Sequence, residues 1–207
     1  DYSLMESLPC GSRARYHMSE PSENIWKTLQ LRYDLACTVM KDRSIISRAD
    51  VREAFSIMNV NSDTHRKLLQ SVRARCDSVK SPIVFCHNDI HAGNFIINRQ
   101  TGALTLIDYE YSDYGPRAFD IANFFCEFAG FECNYSLYPT ASIRRKFYSA
   151  YLGTGEKGTD LSALELEVAS WTPVVHAYWA FWAIIQLKCS TIDVDFLHLD
   201  NTFANSE

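Results

Sequence analysis

The chain has 207 residues, 47% of them hydrophobic and 22% charged, which supplies enough apolar surface for one full core and too much for a disordered chain. Its net charge of -5 offers no basic stripe of the kind a nucleic-acid binder uses, which argues against DNA or RNA as partners. Seven cysteines, odd in number and scattered from Cys10 to Cys189, read as reduced thiols packed like small hydrophobes, so a cytoplasmic location is expected.

Residues 1–24 are polar and irregular, and residues 1–15 lack the apolar run of a signal peptide. Ile25, Leu29, Tyr33 and Ala36 with Cys37 then recur at helical spacing, which predicts an amphipathic helix capped by Ser22. Two more helices are expected over Ser47–Met58 and Asp63–Val79, the second ending before Ser81-Pro82, where the proline marks entry to a strand over Ile83–Cys86. A short loop carries His87-Asn88-Asp89. The apolar run Phe95 to Asn98, the Thr101-Gly102 turn and the alternation from Ala103 to Ile107 read as a β-hairpin that returns Asp108 to the neighbourhood of that loop. Tyr109 to Gly115 reads as a polar, aromatic loop, and Pro116-Arg117 opens a helix over Ala118–Phe131 that is apolar on nearly every face and therefore buried. Ile143–Tyr151 is a further helix, and Gly153 to Thr159 is the weakest link. Leu161–Lys188 closes the chain as one long helix or as two, since an interior proline such as Pro173 kinks or breaks a helix. Ser170 to Leu187 carries no formal charge and touches the length of a membrane span, but Thr172, Pro173, His176 and Gln186 within it fit a helix buried in protein better.

The stretch from Val84 to Asp108 places a carboxylate, an amide and a second carboxylate between short apolar strands, the layout of a phosphoryl-transfer site. Such a transfer asks little covalent chemistry of the protein and much positioning and charge neutralisation. One carboxylate must orient or deprotonate the acceptor hydroxyl, which suits Asp89. Magnesium favours oxygen ligands, for which Asn94 and Asp108 are the candidates. Two other readings compete. Isolated Asp and Asn residues often close turns, and Cys86, His87 and His91 are acceptable zinc ligands, although no second Cys/His pair follows at zinc-finger spacing.

His87-Asn88-Asp89 with Asn94, Ile107-Asp108-Tyr109-Glu110-Tyr111, Phe119-Asp120-Ile121-Ala122-Asn123, Glu127-Phe128-Ala129-Gly130 and Trp179-Ala180-Phe181-Trp182 together resemble the choline/ethanolamine kinase family. The first element alone is shared with aminoglycoside phosphotransferases; the later ones narrow the match, which runs from about Ser22 to about Phe203. The resemblance implies an α+β, protein-kinase-like fold of which this chain supplies the mainly helical C-terminal lobe, with a short β-hairpin next to the catalytic loop and the N-terminal nucleotide lobe absent. On that reading 1–24 is an irregular segment and 25–207 the kinase-like lobe, with the catalytic loop at 84–111 and substrate-pocket helices at 117–131 and 161–188. Asp89 becomes the catalytic base, Asn94 and Asp108 serve Mg2+ and the phosphates of ATP, His87 braces the loop and Asp120 holds it from the buried helix. A plain helix-terminus role for Asp120 is the alternative.

Trp179 and Trp182 lie three apart, so on a helix they share one face, and aromatic faces attract alkylammonium groups. By spacing alone such a stripe reads as core; the resemblance turns it into a substrate wall, with Glu127 as counter-charge and Tyr111 as a third wall. Glu127 to Gly130, Ile107 to Tyr111 and Ser190 to Leu197 are similar to the ethanolamine branch. Val194 and Leu199 stand where the family tends to place aromatic residues, which thins a cage for a trimethylammonium group. The expected activity is ATP-dependent, magnesium-requiring phosphorylation of the hydroxyl of ethanolamine, the first step toward phosphatidylethanolamine by the CDP-ethanolamine route, with choline as the alternative substrate. A non-catalytic amine-binding or partner-binding module is a second expectation, an aminoglycoside-type phosphotransferase a third, and the resemblance also admits a homodimer. Two departures stand out: Pro173 inside the substrate helix, and the lack before Ser81 of a glycine-rich phosphate loop or a strand lysine. The expectation is an ethanolamine kinase/choline kinase-type phosphotransferase, and the missing lobe leaves open a truncated gene product, a fragment or a true pseudoenzyme, with this chain alone then inactive.

Overall fold

The computed structural model describes residues 21–58, 63–130, 133–154 and 160–190. A 3-10 turn over Pro21–Glu23 winds directly into α1 (Asn24–Val39), whose Ile25, Trp26, Leu29, Tyr33, Ala36 and Val39 form one buried face. Ser22 lies inside that turn and the N-cap position falls on Glu23 without a side-chain cap, so the expected Ser22 cap is not made. A single turn, α2 (Arg43–Ile46), is capped by Asp42, whose Oδ1 accepts from the Ser44 N–H at 2.9 Å. The helix expected from Ser47 begins at Ala49 as α3 (Ala49–Met58), and α4 (Asp63–Val79) has the expected bounds.

β1 (Ile83–Cys86) and the hairpin β2 (Phe95–Ile97) with β3 (Leu104–Leu106) form where the apolar runs place them. In the connecting turn Asn98 Oδ1 accepts from the N–H groups of Gln100 and Thr101, and Gly102 takes φ 71°, a left-handed conformation that glycine adopts without steric cost. The expected Tyr109–Gly115 loop is only half a loop. Its second half is β4 (Asp113–Pro116), antiparallel to β1 with Cys86 opposite Asp113 and Ile83 opposite Pro116. Asp, Gly and Pro disfavour strands, so no local signal announces β4; pairing with β1 imposes it.

α5 (Arg117–Cys126) starts where Pro116 predicts, but the α-helix ends at Cys126 and tightens into a 3-10 turn over Glu127–Ala129, closed by Gly130 at φ 62°; the expected continuation to Phe131 lies outside the described residues. α6 (Ala141–Leu152) is capped by Thr140 and stopped by Gly153 in the left-handed region. α7 (Ser162–Cys189) runs through Pro173 as one helix of 28 residues. An interior proline costs about 3 kcal/mol. Burial of Trp171, Val174, Val175, Tyr178, Phe181 and Ile184 on either side of it is worth about 1.5–3 kcal/mol each, so packing decides for continuity.

α7 packs against α1, α4 and α5 and is the spine of the core, with Trp26 against Trp171, Tyr33 against Phe181 and Phe119 against Tyr178. One polar strut fixes the elements that carry the site: Arg117 at the start of α5 grips Glu167 of α7 with two hydrogen bonds of 2.8 and 3.1 Å. The Ser81 hydroxyl, just before β1, donates to the same carboxylate and accepts from the Ala118 N–H. The small sheets are less covered: Phe85, Ile97, Leu104 and Tyr114 are exposed. Among the described residues no helix is long and apolar enough to cross a membrane.

Candidate active site

The loop between β1 and the hairpin is held from beneath by Asp120, in the first turn of α5. Its two carboxylate oxygens accept from the backbone N–H of His87 at 3.0 Å and of Asn88 at 2.7 Å, so the carboxylate serves the loop and not only its own helix terminus. Burial raises the Asp120 pKa and the two donated hydrogen bonds work against that rise. His87 ties the loop to the hairpin, its Nε2 lying 2.9 Å from the Ile107 carbonyl oxygen; since a carbonyl only accepts, Nε2 carries the proton. Asn88 sits at φ 65°, a region that asparagine tolerates and most residues avoid, and is pinned there by donating from Nδ2 to the Tyr111 carbonyl at 2.9 Å. Cys86 is spent in the same scaffold, its thiol donating to the Gly115 carbonyl at 3.3 Å with burial pushing its pKa up to about 12.

This scaffold presents Asp89. Burial raises its pKa, opposed by the nearby His91 and His87 and by Asn94, whose Nδ2 lies 3.4 Å from Asp89 Oδ2 and donates to the Asp89 carbonyl at 2.9 Å. His91 Nδ1 accepts from the Gly93 N–H, which leaves its proton on Nε2, 3.9 Å from Asp89 Oδ2. Asp108 stands in the left-handed region at φ 64° just after the hairpin, exposed, and its charge is felt by both Asp89 and Glu110. Asn88 and Asp108, one on each side of the hairpin, both stand in sparsely populated backbone and mark two segments whose shape is imposed by their surroundings.

Asp89 opens into a cavity of about 300 Å³ that is also lined by Glu110, Tyr111, Glu127, Trp179 and Trp182. Trp179 is the corner of the aromatic wall, 5.7 Å from the Tyr111 ring and 5.6 Å from the Trp182 ring, both edge-on, and its indole N–H donates to Asn123 Oδ1 at 2.6 Å. Glu127 faces the wall from the 3-10 turn after α5. Burial, and secondarily the charge of Asp89, push its pKa up to about 7. The five residues singled out by sequence as base and substrate walls thus meet in one cavity, and the proline in α7 does not turn the tryptophans away. Asn94 sits against Asp89 and Asp120 lies beneath the loop, whereas Asp108, on the segment after the hairpin, does not line the cavity.

The sequence reading passed over much of the rest of the lining: Tyr135 and His176, whose phenol oxygen and Nδ1 lie 3.1 Å apart, with Cys126, Cys133, Val175 and Ala180. His176 could have been found, since it precedes Trp179 by three residues and so shares its face of the helix. Val194 and Leu199, used to weigh the choice of amine, lie outside the described residues, as does the end of the motif from Ser190 to Leu197.

The sequence profile of choline/ethanolamine kinase matches residues 14–204. The chain belongs to the choline/ethanolamine kinase family. Among curated relatives, human ethanolamine kinase 1 is 33% identical over 187 residues, 86% of this chain and 40% of that protein. An Arabidopsis thaliana protein named "probable choline kinase 1" is 42% identical over 125 residues, 56% of this chain and 36% of that protein. Among solved structures, the Plasmodium vivax ethanolamine kinase superposes with a TM-score of 0.75 at 28% identity, covering 92% of this chain and 50% of that one. The chain therefore spans less than half the length of these curated family members, and its mostly helical architecture with small antiparallel sheets is that of a kinase-like fold.

Proposed function

We propose that this chain is the helical, base-carrying lobe of an ATP-dependent kinase that phosphorylates the hydroxyl of ethanolamine in the cytosol, the first step of the CDP-ethanolamine route to phosphatidylethanolamine. The observation that carries the reading is that the half-buried Asp89 and the pair of Glu127 with the Trp179/Trp182 wall share one cavity. A small amino alcohol has a hydroxyl to place at the first and an ammonium to place at the second. Asp89, with its pKa raised by burial and its orientation fixed through Asn94, accepts the hydroxyl proton or orients the hydroxyl for attack. Glu127 and Glu110 supply the acceptors that the three N–H donors of a primary ammonium require, which favours ethanolamine over choline. The exposed apolar residues of the β1–β4 sheet and the hairpin, among them Phe85, Ile97 and Leu104, suit a surface that a nucleotide-binding lobe covers.

The donor set fits magnesium. Asp108 offers a carboxylate, and Asn94, with its NH2 committed to Asp89, offers its amide oxygen; both are the hard oxygen ligands this ion takes. Among the described residues no cluster of three or more His, Cys, Asp or Glu forms a ready-made cage, and magnesium is commonly held by one or two carboxylates together with substrate phosphates. When bound, the ion neutralises charge spreading over the transferred phosphoryl group.

Steady-state kinetics of the full-length protein with ATP, Mg2+ and either amine test the reading. A higher kcat/KM for ethanolamine is expected; a higher value for choline assigns the enzyme to the other substrate of its family. If ethanolamine binds while ATP is neither bound nor turned over, the chain is an amine-binding module.

A further inference from the structure

The aromatic wall already holds a cation that belongs to the protein. Arg32, on α1, is partly buried, and its guanidinium carbon lies 3.6 Å over the Tyr178 ring, 5.5 Å over Trp179 and 5.8 Å over Tyr111. Its Nη1 donates to the Tyr178 carbonyl at 3.1 Å, which locks the group in place against α7. Arg32 itself does not line the cavity, whereas Tyr111 and Trp179 do. A cation within about 6 Å of a ring centroid is attracted by that ring's quadrupole, and a second cation on the same ring meets the repulsion of the first. The charge of Arg32 therefore reaches the cavity through two of the aromatic residues that line it, Tyr111 and Trp179.

We propose that Arg32 is a specificity-determining residue: by loading the π-systems of Tyr111 and Trp179 it weakens the wall for a quaternary ammonium, leaving recognition to the carboxylate of Glu127, which a primary ammonium can hydrogen-bond and a trimethylammonium cannot. The inference rests on the reading of the cavity as an amino-alcohol site and adds to it the element that separates primary from quaternary amines. The two kinds of ligand differ in what they need. A primary ammonium carries three N–H donors and is satisfied by oxygen acceptors, while a trimethylammonium has no donor and depends on ring faces and shape. A built-in cation behind the rings penalises the second far more than the first.

Equilibrium binding of ethanolamine and of choline to the full-length protein, measured by calorimetry, tests this with three variants. R32Q and R32M both remove the charge, one keeping a polar end and the other the apolar stem, so that either folded variant suffices; R32K keeps the charge. The choline-to-ethanolamine affinity ratio is expected to rise roughly three- to tenfold in R32Q or R32M and to stay near the wild-type value in R32K. A ratio unchanged in the neutral variants, with ethanolamine still bound by the wild type, overturns the inference alone. A ratio that moves equally in R32K assigns the effect to packing and overturns it as well. Failure of the wild type to bind either amine overturns the inference together with the reading on which it rests.

Discussion

The loop that carries Asp89 and the helix that carries Trp179 face the same cavity and are held there by different forces. The loop has little apolar anchorage of its own. It is kept in shape by a few directional bonds, from Asp120 to the His87 and Asn88 amides, from His87 to the Ile107 carbonyl and from Asn88 to the Tyr111 carbonyl, and these hold residues in left-handed backbone. α7 is held by area: it is buried along most of its length, and Trp179 is one ring among many in contact. Directional scaffolds fail when one bond is lost, whereas packed walls yield by degrees. Substitutions in the loop should therefore act steeply on the rate, and substitutions in the wall should act gently on which amine is taken.

The largest effect is expected at Asp89. Replacement by Ala or Asn removes the base while the amine end of the cavity stays intact, so kcat of the full-length enzyme should fall by about 10²–10⁴-fold with KM for ethanolamine nearly unchanged. Full turnover in D89A would take Asp89 out of the base role. Next in size is Asp120→Ala, which strips the acceptor from two partly buried amides at once. Each orphaned donor costs about 1–3 kcal/mol, so urea unfolding should show a loss of roughly 3 kcal/mol, accompanied by a fall in kcat. A stable and active D120A would mean that the loop keeps its shape without this carboxylate.

How far the sequence carried follows the same division between directional and packed regions. The Asp63–Val79 helix, the strand at Ile83 and the hairpin around Gly102 are legible because local periodicity and turn chemistry specify them. Asp89 stands out as a candidate because a carboxylate on a short loop between apolar strands suits phosphoryl transfer, whereas the two tryptophans read as core by their spacing and only the family resemblance points them to the cavity they line. What escaped depends on distant partners. β4 exists only through β1, α5 tightens at Cys126 without any local breaker, and the Ser22 cap is lost because the turn before α1 is already helical. Arg32 lies 146 residues from the Tyr178 carbonyl it grips, and no window along the chain joins the two.

A third test addresses the boundary between the regions, where Glu127 is shared by both. Its pKa is raised to about 7 by burial and by the charge of Asp89, against 4.5 ordinarily. A raised carboxyl pKa means that the folded state binds the proton more tightly than the unfolded state does. The contribution to stability is therefore fully present below about pH 4.5 and is lost as pH rises toward 7. Amine binding has the opposite sign, because an ammonium needs the ionised carboxylate: affinity for ethanolamine should rise between pH 6 and 8, by up to about tenfold per unit below the pKa. Calorimetry across that range should show the rise in the wild type and a flat, weaker profile in E127Q. An equally steep profile in E127Q would place the titrating group elsewhere.

The smallest effect is expected at the wall itself. Trp179→Phe keeps a ring in place but deletes the indole N–H that donates to Asn123 Oδ1 at 2.6 Å. Asn123 is fully buried in α5, and its Nδ2 already has no hydrogen-bond partner among the described residues, so the substitution leaves the whole amide without one. The cost should be about 1–2 kcal/mol in stability. The same bond joins α7 to the helix that carries Asp120 and leads into Glu127, so it is a directional link from the packed wall to the polar half of the site. If that link only aligns the wall, W179F should raise KM for ethanolamine a few-fold and leave kcat alone. A fall in kcat comparable to that of D120A would show that the wall positions the loop as well, and that the two regions are less separable than their packing suggests.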